Sequence, residues 1–327
     1  MRIGNIEAKR GEKAFGYFKT GETHGQFDVH IPLHIVQGVH EGPVLVVQSG
    51  LSGLEIEPAL VLPHLVKELD PGQMAGTLVL VPLMNTSGFE FEQVDAAWDG
   101  KNLNKLGRGR PDGTVSEHMV HRYYENVLAQ ADALLDLHSG AQWSYHRYAA
   151  VYRTGDVERS RALATALGLP QVVIIPPEEN SMARSAAEDG KAVVSLNIGG
   201  GPGLRDFLQE DVQRIRRAVF NAMKHLGMLS GEPAYESAQV TVIESHTLIK
   251  PSGARGFTFV DSGKRGEHVA AGEELGYVRH PFSGEILEKI TAPREGIMVF
   301  GGASWPVVPE DVTLAILGDL VDEITTA

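Results

Sequence analysis

The sequence predicts an α/β fold with a mixed, mostly parallel sheet flanked by helices, and three observations support this. Short apolar runs rich in Val, Ile and Leu alternate with segments of helical periodicity from about Gly42 onward, as strands and crossover helices do in parallel sheets. The run from Phe27 to Val39 alternates apolar and polar residues, which predicts an antiparallel hairpin at one edge. After Ser230 to Ala238, glycine-punctuated β-type runs replace the helical pattern.

The individual elements follow from the same periodicities. Strands covered on both faces are predicted at Val44 to Gln48, Thr77 to Leu83, Leu134 to Leu137, Val172 to Ile175 and Ala192 to Asn197. Amphipathic helices are predicted at Ile56 to Leu69, Ser116 to Gln130 and Asp211 to Met228. Later strands are predicted at Thr241 to Leu248, Gly256 to Val260, Glu274 to Val278, Gly284 to Ile290, Gly296 to Phe300 and Val312 to Leu317.

These elements predict two domains. An α/β domain covers residues 1–232, and a small all-β domain that resembles a barrel-sandwich covers residues 233–327. A length of 327 residues with 43% hydrophobic side chains allows both domains to form hydrophobic cores without disulfide bonds or structural metal ions.

Charge and composition exclude several classes of function. The chain has 29 Lys and Arg against 42 Asp and Glu, a formal net charge of −13, which repels nucleic acid and anionic membrane surfaces. It has no cysteine, so thiolate metal sites and cysteine nucleophiles are excluded. No apolar run approaches the length of a membrane-spanning helix. We therefore expect a cytoplasmic protein with no nucleic-acid or membrane partner.

Two segments place polar side chains just after predicted strands, where sites form in open α/β sheets. The first is Gly50-Leu51-Ser52-Gly53-Leu54-Glu55, a glycine turn between a strand and a helix. The second is Asp136-Leu137-His138, at the end of an apolar strand. Ser52 lies on a turn that is similar to a nucleophile elbow, but the second glycine of that motif and an acid–base partner are missing.

Both segments resemble motifs of the succinylglutamate desuccinylase/aspartoacylase family of zinc hydrolases, Gly-x-His-Gly-x-Glu and Asp-Leu-His. The resemblance implies a carboxypeptidase-like fold in which Glu55 and His138 are zinc ligands, with Ser52 in the place of the third. Asp136 fits the role of a carboxylate that orients the ligating imidazole. His146, further along the chain, is a weaker candidate for the missing ligand.

Two further segments follow the family pattern with changes. Asn104 is kept, and Lys105 replaces the arginine that grips a substrate carboxylate; Arg108 and Arg110 could compensate. Asn197 stands where the family has a glutamate that acts as general base, and an amide cannot accept and return a proton as a carboxylate does.

The resemblance implies a deacylase that hydrolyses an amide or ester bond in a small, anionic, amino-acid-derived substrate, with zinc as a cofactor of a degenerate site. Ser52, Glu55, His138 and Asn197 are the catalytic candidates. Two alternatives stay open. Without metal, Glu55 and His138 could be the acid–base pair of a lyase or isomerase, and a third reading is a non-catalytic binding protein. The sequence also leaves open whether the protein forms a homo-oligomer.

Overall fold

The fold is built on one large sheet whose strands come from both ends of the chain. The computed structural model describes residues 1–141, 144–176, 180–200, 209–302 and 313–326. Its twelve-stranded sheet has the order β13-β16-β17-β11-β9-β8-β10-β7-β5-β6-β4-β3. The strands of the first half are β1 (Arg2–Ile3), β2 (Ile6–Glu7), β3 (Glu12–Glu22), β4 (Asp28–Gln37), β5 (His40–Ser49), β6 (Ala75–Val81), β7 (Ala133–His138) and β8 (His146–Tyr152).

The remaining strands complete this sheet and form a small second one. They are β9 (Gln171–Ile175), β10 (Ala192–Gly199), β11 (Gln239–Ile249), β12 (Phe257–Val260), β13 (His268–Val269), β14 (Glu274–Arg279), β15 (Ile286–Thr291), β16 (Gly296–Gly301) and β17 (Ala315–Thr325). Strands β12, β14 and β15 make a separate three-stranded sheet, and β1 pairs only with β2 among the described residues. The predicted strand from Val312 to Leu317 begins outside the described residues.

Helices cover both faces of the sheet. They are α1 (Glu57–Glu68), α2 (Thr86–Glu90), α3 (Val115–Asn126), α4 (Val157–Ala166), α5 (Met182–Glu188) and α6 (Gln209–His225). Alternation along β5 shows the two layers: Leu45 and Val47 pack into the core beneath α1, α4 and α6, and Val46 packs into the core with α3 and α5. Central strands buried on both faces are therefore mostly apolar, and buried polar residues such as Gln48 and Asp136 lie toward their carboxyl ends.

Local sequence signals explain where α3 begins. The Thr114 backbone N–H donates to the Glu117 carboxylate at 2.8 Å, half of a reciprocal capping box. The helix ends at Asn126 and a short 3-10 turn follows, within the range predicted from Ser116 to Gln130. The predicted positions of α1 and α6 also agree with the structure to within a few residues.

The prediction of a mixed sheet is confirmed, but parallel pairing is confined to two blocks that run in opposite directions. One block is β6-β5-β7-β10 and the other is β8-β9-β11. They meet where β8 lies antiparallel to β10. Only seven residues separate β7 from β8, too few for a crossover helix, so β8 starts at the sheet edge where β7 ends. The expected antiparallel edge is present as β3 and β4.

Strands predicted for a separate β domain extend the large sheet. Strand β11 pairs in parallel with β9, and β17 and β16 continue the sheet beyond it. Strands β12, β14 and β15 supply the three-stranded sheet. The C-terminal part is thus rich in β structure as predicted, and the division at residue 232 stays a prediction.

Within the described ranges, no helix combines the length and the apolar character that crossing a bilayer requires.

Gly76 and Gly100 form a matched pair for testing backbone packing. Their φ values are +73° and +69°, so a side chain at either costs about 1–2 kcal/mol. A methyl group at Gly76 would also overlap the Pro43 carbonyl oxygen, whereas one at Gly100 meets nothing within 4 Å. We expect Gly76→Ala to lower the free energy of unfolding by about 1–3 kcal/mol more than Gly100→Ala in urea titrations. Equal losses would contradict the close approach of the backbone at Gly76.

Candidate active site

The turn from β5 to α1 brings three polar side chains to the carboxyl end of the parallel block. Strand β5 ends at Ser49, Gly50 adopts φ +66°, and α1 begins at Glu57. A methyl group at Gly53 would overlap the backbone of Gly88, so only glycine lets the turn pack so closely on α2. This turn carries Ser52 and Glu55, and Glu57 is the first residue of the helix that follows it.

His138, the last residue of β7, is held between two carboxylates. Its Nδ1 lies 2.8 Å from the Glu55 Oε2 atom, and its Nε2 lies 3.1 Å from the Asp136 Oδ2 atom. Burial opposes charge on the ring, but the negative charges of Asp136 and Glu55 outweigh burial and raise the pKa of His138 well above its ordinary value. A doubly protonated ring donates through both nitrogens, as these two acceptors require.

A buried chain of hydrogen bonds supports Asp136 from behind. Its Oδ1 accepts from the Gln48 Nε2 at 2.9 Å, and the Gln48 Oε1 accepts from the Tyr123 hydroxyl at 2.7 Å. All three side chains are fully buried. The chain links β7, β5 and α3, so it fixes the orientation of the carboxylate that faces His138.

Glu57 forms a second buried contact beside the first. Its Oε2 accepts a hydrogen bond of 2.6 Å from the Ser139 hydroxyl. Burial raises the pKa of Glu57, and the Ser139 bond partly offsets this. The Ser139 backbone N–H also lies 3.4 Å from the Glu55 Oε2, so consecutive residues of β7 and its loop contact both glutamates.

Asn197 and His146 lie on the same side of the sheet edge. Asn197 is paired in register with His138 on one side and Tyr148 on the other, and its amide donates to Ser195. The His146 Nε2 lies 2.7 Å from the Ser144 hydroxyl. Burial lowers the pKa of His146 to about 4, so this ring is neutral near pH 7.

The predicted substrate-binding residues lie in the loop before α3, and their contacts do not reach His138 or Glu55. Asn104 and Lys105 belong to a 3-10 turn, and the Asn104 Oδ1 is buried without a partner among the described residues. Arg108 forms a 2.7 Å ion pair with Asp189, and Arg110 lies 3.5 Å from Asp112. Their role in binding a substrate stays a prediction.

The residues at this site do not fit a zinc ion held by three protein ligands. Glu55 and His138 are present, but the third position is Ser52, a neutral hydroxyl whose oxygen accepts from the Leu54 N–H at 3.3 Å. In the part of the chain that the structure describes, no three His, Cys, Asp or Glu side chains are arranged to hold a metal. His146 does not complete the set there.

A cavity of about 910 Å³ opens between β3 and α3, and Lys19, His118 and Arg122 are among the residues that line it. None of the groups around His138 lines this cavity. We place the candidate site at His138 rather than in this cavity because perturbed pKa values and buried acid–base contacts converge at His138.

Comparison with known proteins identifies the family. Residues 41–226 match the succinylglutamate desuccinylase/aspartoacylase catalytic domain, and this segment contains the whole cluster around His138. The chain belongs to this family of deacylating hydrolases. A characterised relative is the N-alpha-acetyl-L-2,4-diaminobutyric acid deacetylase of Halomonas elongata, 30% identical over 210 residues, which are 62% of this chain and 60% of that protein. The match thus spans less than two thirds of the relative.

Solved structures agree on the fold. A succinylglutamate desuccinylase/aspartoacylase from Rhodobacter sphaeroides superposes with a TM-score of 0.86 at 22% identity, over 98% of this chain and all of that one. The ectoine utilization protein EutE (DoeB) from Ruegeria pomeroyi gives a TM-score of 0.82 at 23% identity, over 97% of this chain and all of that one. At these identities the likeness establishes the architecture alone.

Sequence reasoning named Glu55, Asp136 and His138 as candidates but did not identify Gln48 and Tyr123, which support Asp136. Gln48 carried a signal, because it is a polar residue at the end of the apolar run Val44 to Val47. Tyr123 carried none, since a tyrosine on an amphipathic helix is ordinary core. Their contact exists only once α3 packs on β5.

Gln48 and Tyr123 allow a test of the buried chain. Gln48→Leu leaves the Asp136 Oδ1 and the Tyr123 hydroxyl without their partner, and we expect a loss of about 1–3 kcal/mol for each unsatisfied group. Adding Tyr123→Phe removes one of these groups, so the double variant should lose less than the sum of the two single variants in urea denaturation. Additive losses would show that the two side chains are not coupled.

Proposed function

We propose that this protein is a hydrolase that removes an acyl group from the nitrogen of a small, anionic amino-acid derivative. The contact that carries the proposal is His138 held between Glu55 and Asp136 at the carboxyl end of the sheet. Family membership supports the reaction class, and the Halomonas elongata deacetylase supports N-acetyl amino acids as first substrates to try.

The residues present assign a proton path in this reaction. His138 donates from Nδ1 to the Glu55 Oε2, which orients the carboxylate and leaves Oε1 outside this bond. Glu55 is partly exposed, with 18% of its side-chain surface accessible, so Oε1 can take a proton from an attacking water and return it to the departing amine nitrogen. Water first adds to the acyl carbon, which forms the new C–O bond, and the C–N bond of the tetrahedral intermediate then breaks as the amine leaves with the proton returned by Glu55. No step is assigned to a metal, because Ser52 does not supply the third ligand.

The same contacts favour a second candidate. An acid–base pair with no third metal ligand suits proton abstraction and return in an elimination or isomerisation as well as in hydrolysis. Product analysis distinguishes the two, because hydrolysis releases a free amine and a free carboxylic acid in equal amounts, whereas elimination leaves a carbon–carbon double bond and isomerisation releases no fragment.

The acid–base roles predict a loss of turnover without a loss of fold. With N-alpha-acetyl-L-2,4-diaminobutyric acid and a panel of other N-acyl amino acids, we expect His138→Gln and Glu55→Gln to lower kcat/KM by about 100-fold or more. Exposed His64 and Glu90 supply matched controls, since His64→Gln and Glu90→Gln make the same changes away from the cluster. Activity is followed by amine release and folding by circular dichroism. Full activity in both site variants would overturn the proposal.

Zinc content tests the incomplete ligand set. Ser52→His combined with Asn197→Glu restores the residues that the family has at both positions, and we expect near-stoichiometric zinc by elemental analysis because a second imidazole completes three ligands. Asn197→Glu alone is the control and should remain well below one zinc per chain. One tightly held zinc in the unaltered protein would contradict the reading of Ser52 as a lost ligand.

A further inference from the structure

A second cavity, of about 630 Å³, opens at the sheet edge that carries the candidate site. The cavity lies where β8, β9 and β11 begin. These strands run opposite to β5, β7 and β10, so they begin at the edge of the sheet where β5, β7 and β10 end. Residues of the 3-10 turn Ser262–Lys264 and the residue after it close the cavity from the C-terminal side. The residues used below are Tyr145, Arg147, Gln171, Glu236, Ser262 and Arg265.

Arg265 places a positive charge in this cavity and forms no ion pair with a carboxylate of the described residues. Its Nη1 donates to the Tyr145 carbonyl at 2.6 Å and its Nε to the Ser262 carbonyl at 2.9 Å. The guanidinium also stacks 4.8 Å from the centre of the Tyr145 ring. These neutral contacts fix its orientation but leave its charge unbalanced among the described residues, and burial lowers the pKa of Arg265.

The other arginines near the cavity are neutralised. Arg147, Arg214 and Arg217 all form ion pairs with Glu236. Arg214 additionally pairs with Asp211 and Glu210. Among the described residues that line the cavity, Arg147 and Arg265 face one carboxylate, that of Glu236, so one positive charge is in excess there. The Arg147 Nε is also buried with no hydrogen-bond partner among the described residues.

A half-buried guanidinium is costly to desolvate unless an anion accompanies it. A guanidinium fork matches the two oxygens of a carboxylate. One unit of excess positive charge suits a carboxylate better than a doubly charged phosphate, which would meet Glu236 in the same cavity. Gln171 lies next to Gly266, so its amide is placed to donate as well.

We propose that this cavity is a binding subsite for a small carboxylate, with Arg265 as its anchor. The subsite adjoins the candidate active site, because Tyr145 and Arg147 flank His146 in the chain and both sites lie at the same edge of the sheet. It is distinct from the loop of Asn104 and Lys105, to which the family resemblance assigns carboxylate binding.

Calorimetric titration of the full chain with glutarate tests the subsite without turnover. We expect Arg265→Gln to weaken glutarate binding by about 10-fold or more, as loss of a charged hydrogen-bond donor does. Arg255→Gln is the matched control, since it removes the same charge from an exposed position in the same part of the chain, and it should bind as the unaltered protein does. Glutaramide, of the same size but uncharged, should bind at least about 10-fold more weakly than glutarate.

Gln171→Glu provides a second variant in case Arg265→Gln does not fold. This substitution introduces a carboxylate into the cavity, next to the turn that carries Arg265. The added negative charge should repel glutarate and weaken its binding while Arg265 stays in place. Equal affinity in the unaltered protein and both variants would overturn the proposal, as would glutaramide binding as tightly as glutarate or no binding of glutarate at millimolar concentration. A protein that binds glutarate through Arg265 but releases no amine would retain the subsite and reject the proposed hydrolase.

Discussion

The contact of His138 with two carboxylates constrains the rest of the site. A charged imidazole can be buried only where its protons meet acceptors and the acceptors are held in turn. Asp136 precedes His138 by two residues on β7, so these two side chains point to the same face of the sheet. Glu55 reaches His138 from the turn after β5. Gln48 and Tyr123 then fix Asp136 from the neighbouring strand and from α3. The acid–base geometry thus depends on the packing of three elements.

Membership of the family does not by itself assign the active site of this chain. The sequence resemblance implies that the glycine turn, Glu55 and the Asp136–His138 pair are kept, and in the structure hydrogen bonds hold His138 between the two carboxylates. The same resemblance implies changes at Ser52 and Asn197, which lie in the turn after β5 and in β10. Because one scaffold can support different chemistries, the polar groups rather than the fold decide the reaction.

The positions of the central strands along the chain were readable because their signal is local. A run such as Val44 to Val47 is apolar at every position, which identifies a strand covered on both faces whatever lies beside it. Strand β8 was missed because His146–Tyr152 mixes polar, charged and aromatic residues and shows no clean period. Its direction follows from the short loop after β7. Because β8 runs back along the sheet after this loop, the second parallel block has the opposite direction to the first. The starts of β9 and β11 therefore lie at the edge of the sheet that carries the site.

The sequence by itself determined the family, the α/β class and the candidates Glu55, Asp136 and His138, because each depends on residues close together in the chain. Only the tertiary structure decided that His138 contacts both carboxylates, that Tyr123 reaches Gln48 and that Arg108 is paired with Asp189. It also decided that the C-terminal strands extend the large sheet. The contacts of Glu55, Tyr123 and Arg108 join residues 75 to 83 positions apart, and Arg265 reaches Tyr145 across 120 positions, so chain folding rather than local periodicity sets these distances.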